Sequence, residues 1–486
     1  MQVLVIDVGT SGARAAVVAD DGRFVAERHR RQSPTSPMAG LVEFDPVALA
    51  DTAVELAREV IDATGSSGGD TTIGAVGIAN QRASTILWDR STGEPVGPGI
   101  GWQDLRTVGE CLTLRADGIF LAPNQSATKV AHLFDNHDPE RSRDLCFGTV
   151  DTWLVWRLTE GTAHVTDRTN AAVTGLLLPD ASDWDDRVLD ALSIPRSCLP
   201  QLVDSAGEVA NATALPGAPV IAGLLGDQQA SLVGQGCVRP GMAKITFGTG
   251  GMLDMWLGSD GPATAERGPH GTFPIVTLEH GGTLGWGLEA IMLSAGTNVD
   301  WLVEDLGLLD SAEQSHEVAS SCDSTDGVVY VPALLGLGTP QWDYGARGSL
   351  FGVTRGTTRA HVVRAVLEGI AQRGADLVDA AEAESGHTIE ALRVDGGMSA
   401  NPTFVQALAD ATGVSVELAP VLEATTLGAA WTARLGVGEI PEIDDIADRW
   451  DPRGRVEPAS EPDRERWRVA VERAGHWHEE LSALDL

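Results

Sequence analysis

Short apolar runs that end at glycine-rich turns recur along the chain, and they predict strands. Residues 3–6 form the first run, and a turn rich in Gly, Thr and Ser at residues 7–12 separates it from a second apolar run at residues 13–18. Runs that are rich in β-branched residues and bounded by turn residues are typical of strands. The chain is therefore predicted to open with a hairpin, and residues 73–78 are predicted to form a further strand.

Apolar positions at helical spacing alternate with these strands. The pattern over residues 46–64 follows an Asp-Pro start signal and places its apolar residues on one face of a helix. Alternating strands and helices predict an α/β layer protein. The later predicted elements are strands at 327–332 and 392–395, helices at 361–381 and 403–412, and a charged surface helix at 461–482.

The opening pattern returns near the middle of the chain. Residues 243–247 form an apolar run that leads into Gly248-Thr249-Gly250-Gly251, and Thr249 lies 239 residues after Thr10, about half of the 486-residue chain. This repeat predicts two similar lobes, each opening with a turn of the size that accommodates a phosphate group. The Gly- and Pro-rich stretch 233–241 is the predicted boundary, which divides the chain into an N-terminal lobe, 1–236, and a C-terminal lobe, 237–486.

The charge of the chain excludes several partners. There are 69 acidic and 34 basic residues, for a formal charge of −35, and only two of the basic residues, Lys129 and Lys244, are lysines. Such a surface repels phosphate polymers and anionic lipids, so nucleic acid and membranes are not expected partners. Adaptation to high salt and a GC-rich genome that favours Arg codons explain the lysine deficit equally well.

The cysteines and the apolar segments point to the cytoplasm. Five cysteines are scattered without a Cys-x-x-Cys spacing, which favours a reducing compartment. The N-terminus lacks a basic region before its short apolar run, so no signal peptide is predicted, and no stretch approaches the ~20 apolar residues that span a bilayer. We therefore expect a cytoplasmic protein.

The motifs exclude some chemistry and leave other chemistry open. Neither lysine lies in a Walker loop, no Gly-x-Gly-x-x-Gly follows a strand, and no His or Cys pair has a zinc spacing. What remains is carboxylates beside small-residue turns, whose backbone N–H groups can face phosphate oxygens. Asp7 can hold Mg²⁺ through water, and Arg14 can neutralise a phosphate. An ordinary hairpin turn is the equally open alternative for residues 7–10.

A series of ordered motifs resembles one enzyme family. The motifs match the FGGY carbohydrate kinases, and the glycerol kinases are the branch that the chain resembles most. The resemblance covers residues 3 to about 440 of the chain. The motifs are residues 7–14 (DVGTSGAR), 80–82 (NQR), 102–103 (WQ), 147–154 (FGTVDTWL), 165–167 (VTD), 226–229 (GDQQ), 246–250 (TFGTG), 348–353 (GSLFGV) and 395–401 (DGGMSAN).

The resemblance implies an actin-like, ribonuclease H-like ATPase fold, with ATP and Mg²⁺ in the cleft between two lobes. A small polyol or sugar is the implied phosphoryl acceptor, and Asp227 matches the family's catalytic base. A helix N-cap is the alternative role for Asp227. Asp7, through water, and Asp227 are the implied magnesium ligands. The implied nucleotide-binding residues are Thr10, Ser11, Arg14, Gly248, Thr249, Gly296, Asp300, Gly397 and Asn401; Asn401 is also suited to cap the helix that follows it.

The acceptor pocket matches the glycerol kinases only in part. Arg82, Trp102, Asp227 and Gln228 stand at positions that resemble glycerol-binding residues. Three positions depart from that pattern, because Ala83 replaces an acid, Asn124 a tyrosine and Met252 an aromatic residue. The segment before Asn124 is also shorter, by about ten residues, than the segment it resembles.

These departures enlarge the pocket and leave Arg82 less compensated. They predict an acceptor that is glycerol or a longer polyol, a ketose or a molecule with an anionic group. A non-catalytic polyol or nucleotide sensor on a kinase fold is the alternative function, and an actin-like ATPase machine is a further one. The resemblance also gives the expectation of a homodimer or homotetramer.

Overall fold

A 13-stranded mixed sheet with helices packed against it forms the framework of the computed structural model. The structure describes residues 1–65, 72–261, 266–420 and 423–483. The strands are β1 Gln2–Gly9, β2 Gly12–Val18, β3 Phe24–Arg31, β4 Glu43–Phe44, β5 Ile73–Asn80, β6 Ile86–Asp89, β7 Gly99–Ile100, β8 Leu145–Gly148, β9 Val165–Asp167, β10 Gln201–Val203, β11 Ala206–Asn211, β12 Val220–Gly226, β13 Ala243–Phe247, β14 Gly251–Gly258, β15 Phe273–His280, β16 Thr283–Met292, β17 Val329–Val331, β18 Ser349–Phe351, β19 Ala391–Asp395, β20 Ser415–Leu418 and β21 Gly454–Val456.

The α-helices lie mostly between these strands in the chain. They are α1 Pro46–Gly65, α2 Val108–Ala116, α3 Ala127–His137, α4 Val150–Leu158, α5 Arg168–Ala171, α6 Asp186–Leu192, α7 Asp227–Gly234, α8 Thr297–Glu304, α9 Gln314–Ala319, α10 Arg359–Ser385, α11 Pro402–Thr412, α12 Ala424–Gly436, α13 Asp444–Ala447, α14 Arg464–Ala474 and α15 Glu479–Ser482. No helix in the described ranges is long and apolar enough to cross a bilayer.

The sheet of the first half is built around β1. This strand pairs antiparallel with β2, with Asp7 opposite Arg14, and parallel with β5, and β12 continues the sheet in parallel beyond β5. The side of α1 that carries Leu49, Ala53 and Leu56 packs into the core against β1 and β2. The predicted hairpin, strand and helix are therefore confirmed, and they place the turn at residues 9–12 at the end of two buried strands.

The second half repeats this arrangement around β13. The strand pairs antiparallel with β14 and parallel with β19, and β20 lies beyond β19 in parallel. The turns after β1 and after β13 thus occupy equivalent positions in two similar sheets. The repeat that the Gly/Thr turns predict is present in the topology, and it places the two turns at the same kind of strand end.

The two halves share a continuous sheet and a crossing of helices. The pairing of Ala206 in β11 with His280 in β15 joins the strands of the first half to those of the second half in this one sheet. Helix α12, although it comes late in the chain, packs its buried side with residues of β1, β5, β12 and α7 in one apolar cluster. The division of the chain between residues 236 and 237 stays a prediction. Helix α12 belongs to the C-terminal part of the chain but packs against the sheet of the first half.

The C-terminal segment differs from the single surface helix that its charge pattern predicts. It forms two helices, α14 and α15, separated at residues 475–478, where His476 adopts a positive φ of 53°. The backbone N–H of His476 donates to Asp343 at 2.7 Å, which holds the chain in this turn. Trp467 is buried in an apolar cluster with Val331 and Leu337. One side of α14 is buried and its other residues stay at the surface. The prediction of a charged surface helix therefore holds for α14, and the prediction of one continuous helix over residues 461–482 was wrong.

Candidate active site

Asp227 begins α7 directly after β12, and its side chain is one-third exposed (33%). Its carboxylate accepts the N–H of Gln228 at 2.9 Å and lies 3.6 Å from Nε of Arg82. Burial raises the pKa of Asp227, and the charge of Arg82 opposes that rise. The N-cap position belongs to Gly226, so capping does not account for the aspartate.

Asp7 lies near the end of β1 and faces the same region. Burial raises the pKa of Asp7 to about 7, Arg14 lowers it, and the negative charges of Asp227 and Glu423 raise it further. Two carboxylates that destabilise each other's charge in this way fit a divalent cation, which relieves the repulsion. No group of three His, Cys, Asp or Glu side chains suited to a metal occurs in the described part of the chain. Mg²⁺ keeps several water ligands and is usually held by one or two carboxylates.

The first Gly/Thr turn lies beside the predicted acceptor wall. Nε1 of Trp102 donates to Oγ1 of Thr10 at 3.0 Å, so the indole is fixed against the turn. Ser11 is exposed at the tip of the turn. Arg14 is held by two carboxylates, at 2.5 Å from Glu423 and 3.1 Å from Glu27. A phosphate contact by Arg14 stays a prediction, and it competes with these two ion pairs.

The second turn is assembled from two segments of the second half. The N–H of Gly296 donates to the carbonyl oxygen of Gly248 at 2.9 Å, and the N–H of Ala295 donates to that of Thr249 at 2.8 Å. A Cβ atom at position 296 would lie 2.6 Å from the Gly248 oxygen, so only glycine permits this approach. The structure therefore joins Gly248, Thr249 and Gly296, three of the predicted nucleotide-binding residues.

The other predicted nucleotide-binding residues are less closely connected. Oδ1 of Asn401 accepts the N–H of Phe404 at 3.1 Å, and its amide donates to Ser315 at 2.9 Å. Oδ1 of Asn401 thus caps α11, the alternative role that the sequence left open, while its amide ties the start of α11 to α9. Asp300 is exposed in the first turn of α8, and Gly397 is exposed after β19. Their contacts with nucleotide stay predictions.

Arg82 is positioned by a residue that sequence reasoning missed. Its Nη2 donates to Glu289 of β16 at 2.6 Å, while its Nε faces Asp227. Arg82 and Glu289 are 207 residues apart in the chain, and they come from opposite halves. The single acid within the apolar run 284–293 was the available signal.

A buried ion pair, also missed from sequence, lies behind Gln228. Lys244 of β13 and Asp254 of β14 are opposite each other in the sheet, both fully buried, with Nζ 2.7 Å from Oδ2. The same Nζ donates to Oε1 of Gln228 at 2.8 Å and to Oγ1 of Thr246 at 2.9 Å. Burial raises the pKa of Asp254 to about 6, although Lys244 lowers it. One charged residue within each of two mostly apolar runs, residues 243–247 and 251–258, was the available signal.

The three positions that differ from the glycerol kinase pattern have different surroundings. Ala83 is buried and adopts a positive φ of 60°, and Met252 is half-buried opposite Thr246. The side chain of Asn124 is exposed. The backbone carbonyl oxygen of Asn124 accepts a hydrogen bond from Nζ of the buried Lys129 at 3.3 Å, and Lys129 also donates to the backbone carbonyl of Trp102 at 3.1 Å. Lys129 thus ties together the two segments that carry Trp102 and Asn124.

Comparisons with known proteins identify the family. The model of the N-terminal domain of the FGGY family of carbohydrate kinases matches residues 2–234, and the model of its C-terminal domain matches residues 243–436. The chain is 41% identical to a glycerol kinase of Aromatoleum aromaticum, over 98% of this chain and 99% of that protein. It is 40% identical to glycerol kinase 2 of Thermotoga maritima, over 98% of this chain and 99% of that protein.

A solved structure agrees with these relatives. The crystal structure of Plasmodium falciparum glycerol kinase with ADP superposes with a TM-score of 0.90 at 28% identity, covering 97% of this chain and 98% of that one. The predicted two-lobed, actin-like α/β fold is confirmed, and so is the use of ATP with Mg²⁺. The chain belongs to the FGGY family of carbohydrate kinases, and it is an ATP-dependent kinase whose acceptor is an alcohol group.

Proposed function

We propose that this kinase transfers the terminal phosphoryl group of ATP to a hydroxyl of a small polyol or sugar, either glycerol or a related polyol or ketose. The observation that carries the proposal is the position of Asp227. Its carboxylate is partly exposed, directed by Arg82 and electrostatically coupled to Asp7. The names of the relatives support glycerol as the first acceptor to test.

Asp227 is proposed as the proton acceptor. Phosphoryl transfer requires alignment of the two oxygens and neutralisation of charge more than covalent help, and a positioned base contributes ~10²- to 10⁴-fold. Burial raises the pKa of Asp227, which makes the carboxylate a better proton acceptor, and the nearby charge of Arg82 keeps it ionised. The hydroxyl that gives up its proton would lie against this carboxylate, beside Trp102.

The remaining predicted residues are proposed to hold the phosphates and the metal. The backbone of Thr10 and Ser11 would face them from the first half, and Gly248 and Thr249 from the second. Asp7, through water, and Asp227 would hold Mg²⁺, which neutralises phosphate charge when bound. Closure of the cleft around ATP would exclude water and limit wasteful hydrolysis.

We further propose a cytoplasmic location, a small-molecule acceptor, and neither nucleic acid nor membranes as partners. The five cysteines of the chain are all free, which suits a reducing compartment. A formal charge of −35 repels polyanions and acidic lipids. A homodimer or homotetramer is the assembly that the family resemblance predicts.

A coupled ADP-release assay across three- to six-carbon polyols and ketoses tests the proposal. We expect turnover with at least one acceptor, and an Asp227→Asn variant should lose ~10²- to 10⁴-fold in kcat while it still binds ATP. Asp21→Asn, a surface change near Arg23, is the control and should keep full activity. Acceptor binding without turnover in the wild-type protein would instead support the non-catalytic sensor.

A further inference from the structure

The two lysines of the chain are both fully buried, and both contact segments that carry predicted acceptor-site residues. The other 32 basic residues are arginines. Lys129 and Lys244 have no exposed surface, in contrast to the many arginines that form surface ion pairs. A compact ammonium fits a small polar space that a planar guanidinium does not. The role of Lys244 can be read from its three contacts.

Lys244 uses all three N–H donors of its ammonium. Nζ lies 2.7 Å from Oδ2 of Asp254, 2.8 Å from Oε1 of Gln228 and 2.9 Å from Oγ1 of Thr246. Asp254 and Thr246 belong to the sheet of the second half, whereas Gln228 belongs to α7 of the first half. The ammonium thus links the helix that begins at Asp227 to the opposite sheet.

This contact decides which end of the Gln228 amide faces the cleft. An ammonium only donates hydrogen bonds, so the amide oxygen must point towards Lys244 and the NH₂ group must point away. Within the described residues, no protein acceptor receives a hydrogen bond from Nε2 of Gln228, and the side chain is partly exposed next to Asp227. Gln228 therefore presents a donor, and no acceptor, to the cleft.

Arg82, whose Nε lies 3.6 Å from the Asp227 carboxylate, has a further donor that no protein acceptor uses. Its Nη1 is buried and has no hydrogen-bond partner in the described structure, while Nη2 is occupied by Glu289. Position 83, where a carboxylate would accept hydrogen bonds, is an alanine. A substrate hydroxyl has a proton that needs an acceptor, whereas a carbonyl oxygen needs only donors. Arg82 and Gln228 supply hydrogen-bond donors, so they match a carbonyl oxygen.

We infer that Lys244 is a positioning residue that holds Gln228 as a hydrogen-bond donor, so that the site favours an acceptor with a carbonyl oxygen beside the reacting hydroxyl. The inference rests on the proposed kinase function and narrows its acceptor to a ketose-like molecule. It assigns a role to the Lys244–Asp254 pair, which does not itself face solvent.

Dihydroxyacetone and glycerol form a matched pair for the test, because they differ only in whether the central oxygen is a carbonyl or a hydroxyl. We expect the wild-type kcat/KM, measured by ADP release, to favour dihydroxyacetone by about tenfold. Lys244→Met combined with Asp254→Leu removes the ion pair without leaving a buried charge unpaired. In this double variant the ratio of kcat/KM for dihydroxyacetone to kcat/KM for glycerol should fall to between about 1 and about 3, mainly through a higher KM for dihydroxyacetone.

Gln228→Glu gives an independent readout that keeps Lys244 and Asp254. One carboxylate oxygen would accept from Lys244 and the other would face the cleft as an acceptor, so the preference should shift towards glycerol by about tenfold. Arg434→Met is the matched control, because it removes another buried cation, which pairs with Glu439. It should lower stability and leave the ratio of the two kcat/KM values unchanged.

The outcomes separate the inference from the function on which it rests. A wild-type preference for glycerol, or an unchanged ratio in both the double variant and Gln228→Glu, overturns the role of Lys244 while the kinase function stands. If the double variant does not fold, Gln228→Glu alone decides. No turnover with any acceptor overturns the proposed function itself, and the inference with it.

Discussion

Helices α7 and α12 cross at two glycines, and this crossing sets the position of Asp227 at the start of α7. A Cβ atom added at Gly428 would lie 1.8 Å from the carbonyl oxygen of Ala230, and one at Gly234 would lie 1.9 Å from that of Ala424. Real Cβ contacts essentially never fall below 3.0 Å. A Gly428→Ala variant must therefore separate the two helices by more than about 1 Å, because the nearest atoms to its Cβ, in Ala230 and Gly234, are backbone atoms that cannot rotate away.

The cost of this separation can be set against the gain in helix propensity. Alanine in place of glycine within a helix gains about 0.5–1 kcal/mol, whereas overpacking a buried contact costs about 1–3 kcal/mol. We expect a net loss of about 1–2 kcal/mol in the free energy of unfolding. The effect on kcat should be larger, because a misplacement of about 1 Å in a catalytic group can cost ~10²-fold.

Both effects can be measured on one preparation, by ADP release for kcat and by urea unfolding for stability. Gly109→Ala is the control, because Gly109 is a helical glycine in α2 with no atom within 4 Å of an added Cβ. It should keep full kcat and be slightly more stable than the wild type. Gly428→Ala with wild-type kcat and an unchanged unfolding midpoint would refute the claim that this crossing positions Asp227.

Two further changes test other parts of the structure. Asp151 is fully buried, and its pKa is raised from 3.8 to about 7 by burial and by Asp167, so the folded protein loses stability as pH rises from about 4 to about 7. Asp151→Asn should remove this dependence of the free energy of unfolding on pH. Measured by urea unfolding, the stability of the variant relative to wild type should rise by about 2–3 kcal/mol between about pH 5 and about pH 8. The same pH dependence in both proteins would contradict the raised pKa of Asp151. Ala83→Glu supplies a carboxylate next to Arg82 and should raise kcat/KM for glycerol by about tenfold in the ADP-release assay; an unchanged value would point to the rebuilt segment before residue 124 or to Met252 instead.

Much of the fold was predictable because its signals are local. The hairpin after β1, the helix α1 and the second Gly/Thr turn after β13 each depend on residues within one element and its turn. β-Branched runs, helical spacing and glycine turns are short-range signals that need no knowledge of the rest of the chain. The motifs likewise carry Asp7 and Asp227 as candidate site residues. The single predicted helix at residues 461–482 failed because its interruption depends on Asp343, more than a hundred residues earlier.

The site required the tertiary structure where contacts join distant segments. Arg82 is compensated by Glu289, 207 residues away, rather than by its neighbour at position 83. Asn401 caps a helix and contacts Ser315, a role that sequence left open beside nucleotide binding. In each case the partner is decided by the packing of two elements, and no local pattern names it.

The sequence by itself determined the family, the two-lobed α/β architecture and the residue types available for phosphoryl transfer, because these follow from short motifs and from the periodicity of apolar positions. Only the tertiary structure decided that Lys244 holds Gln228, that Glu289 compensates Arg82 and that two glycines set the depth of the crossing between α7 and α12. The physical reason is that a hydrogen bond or a backbone contact depends on ångström-scale distances between residues that the folded chain, and not their separation along it, brings together.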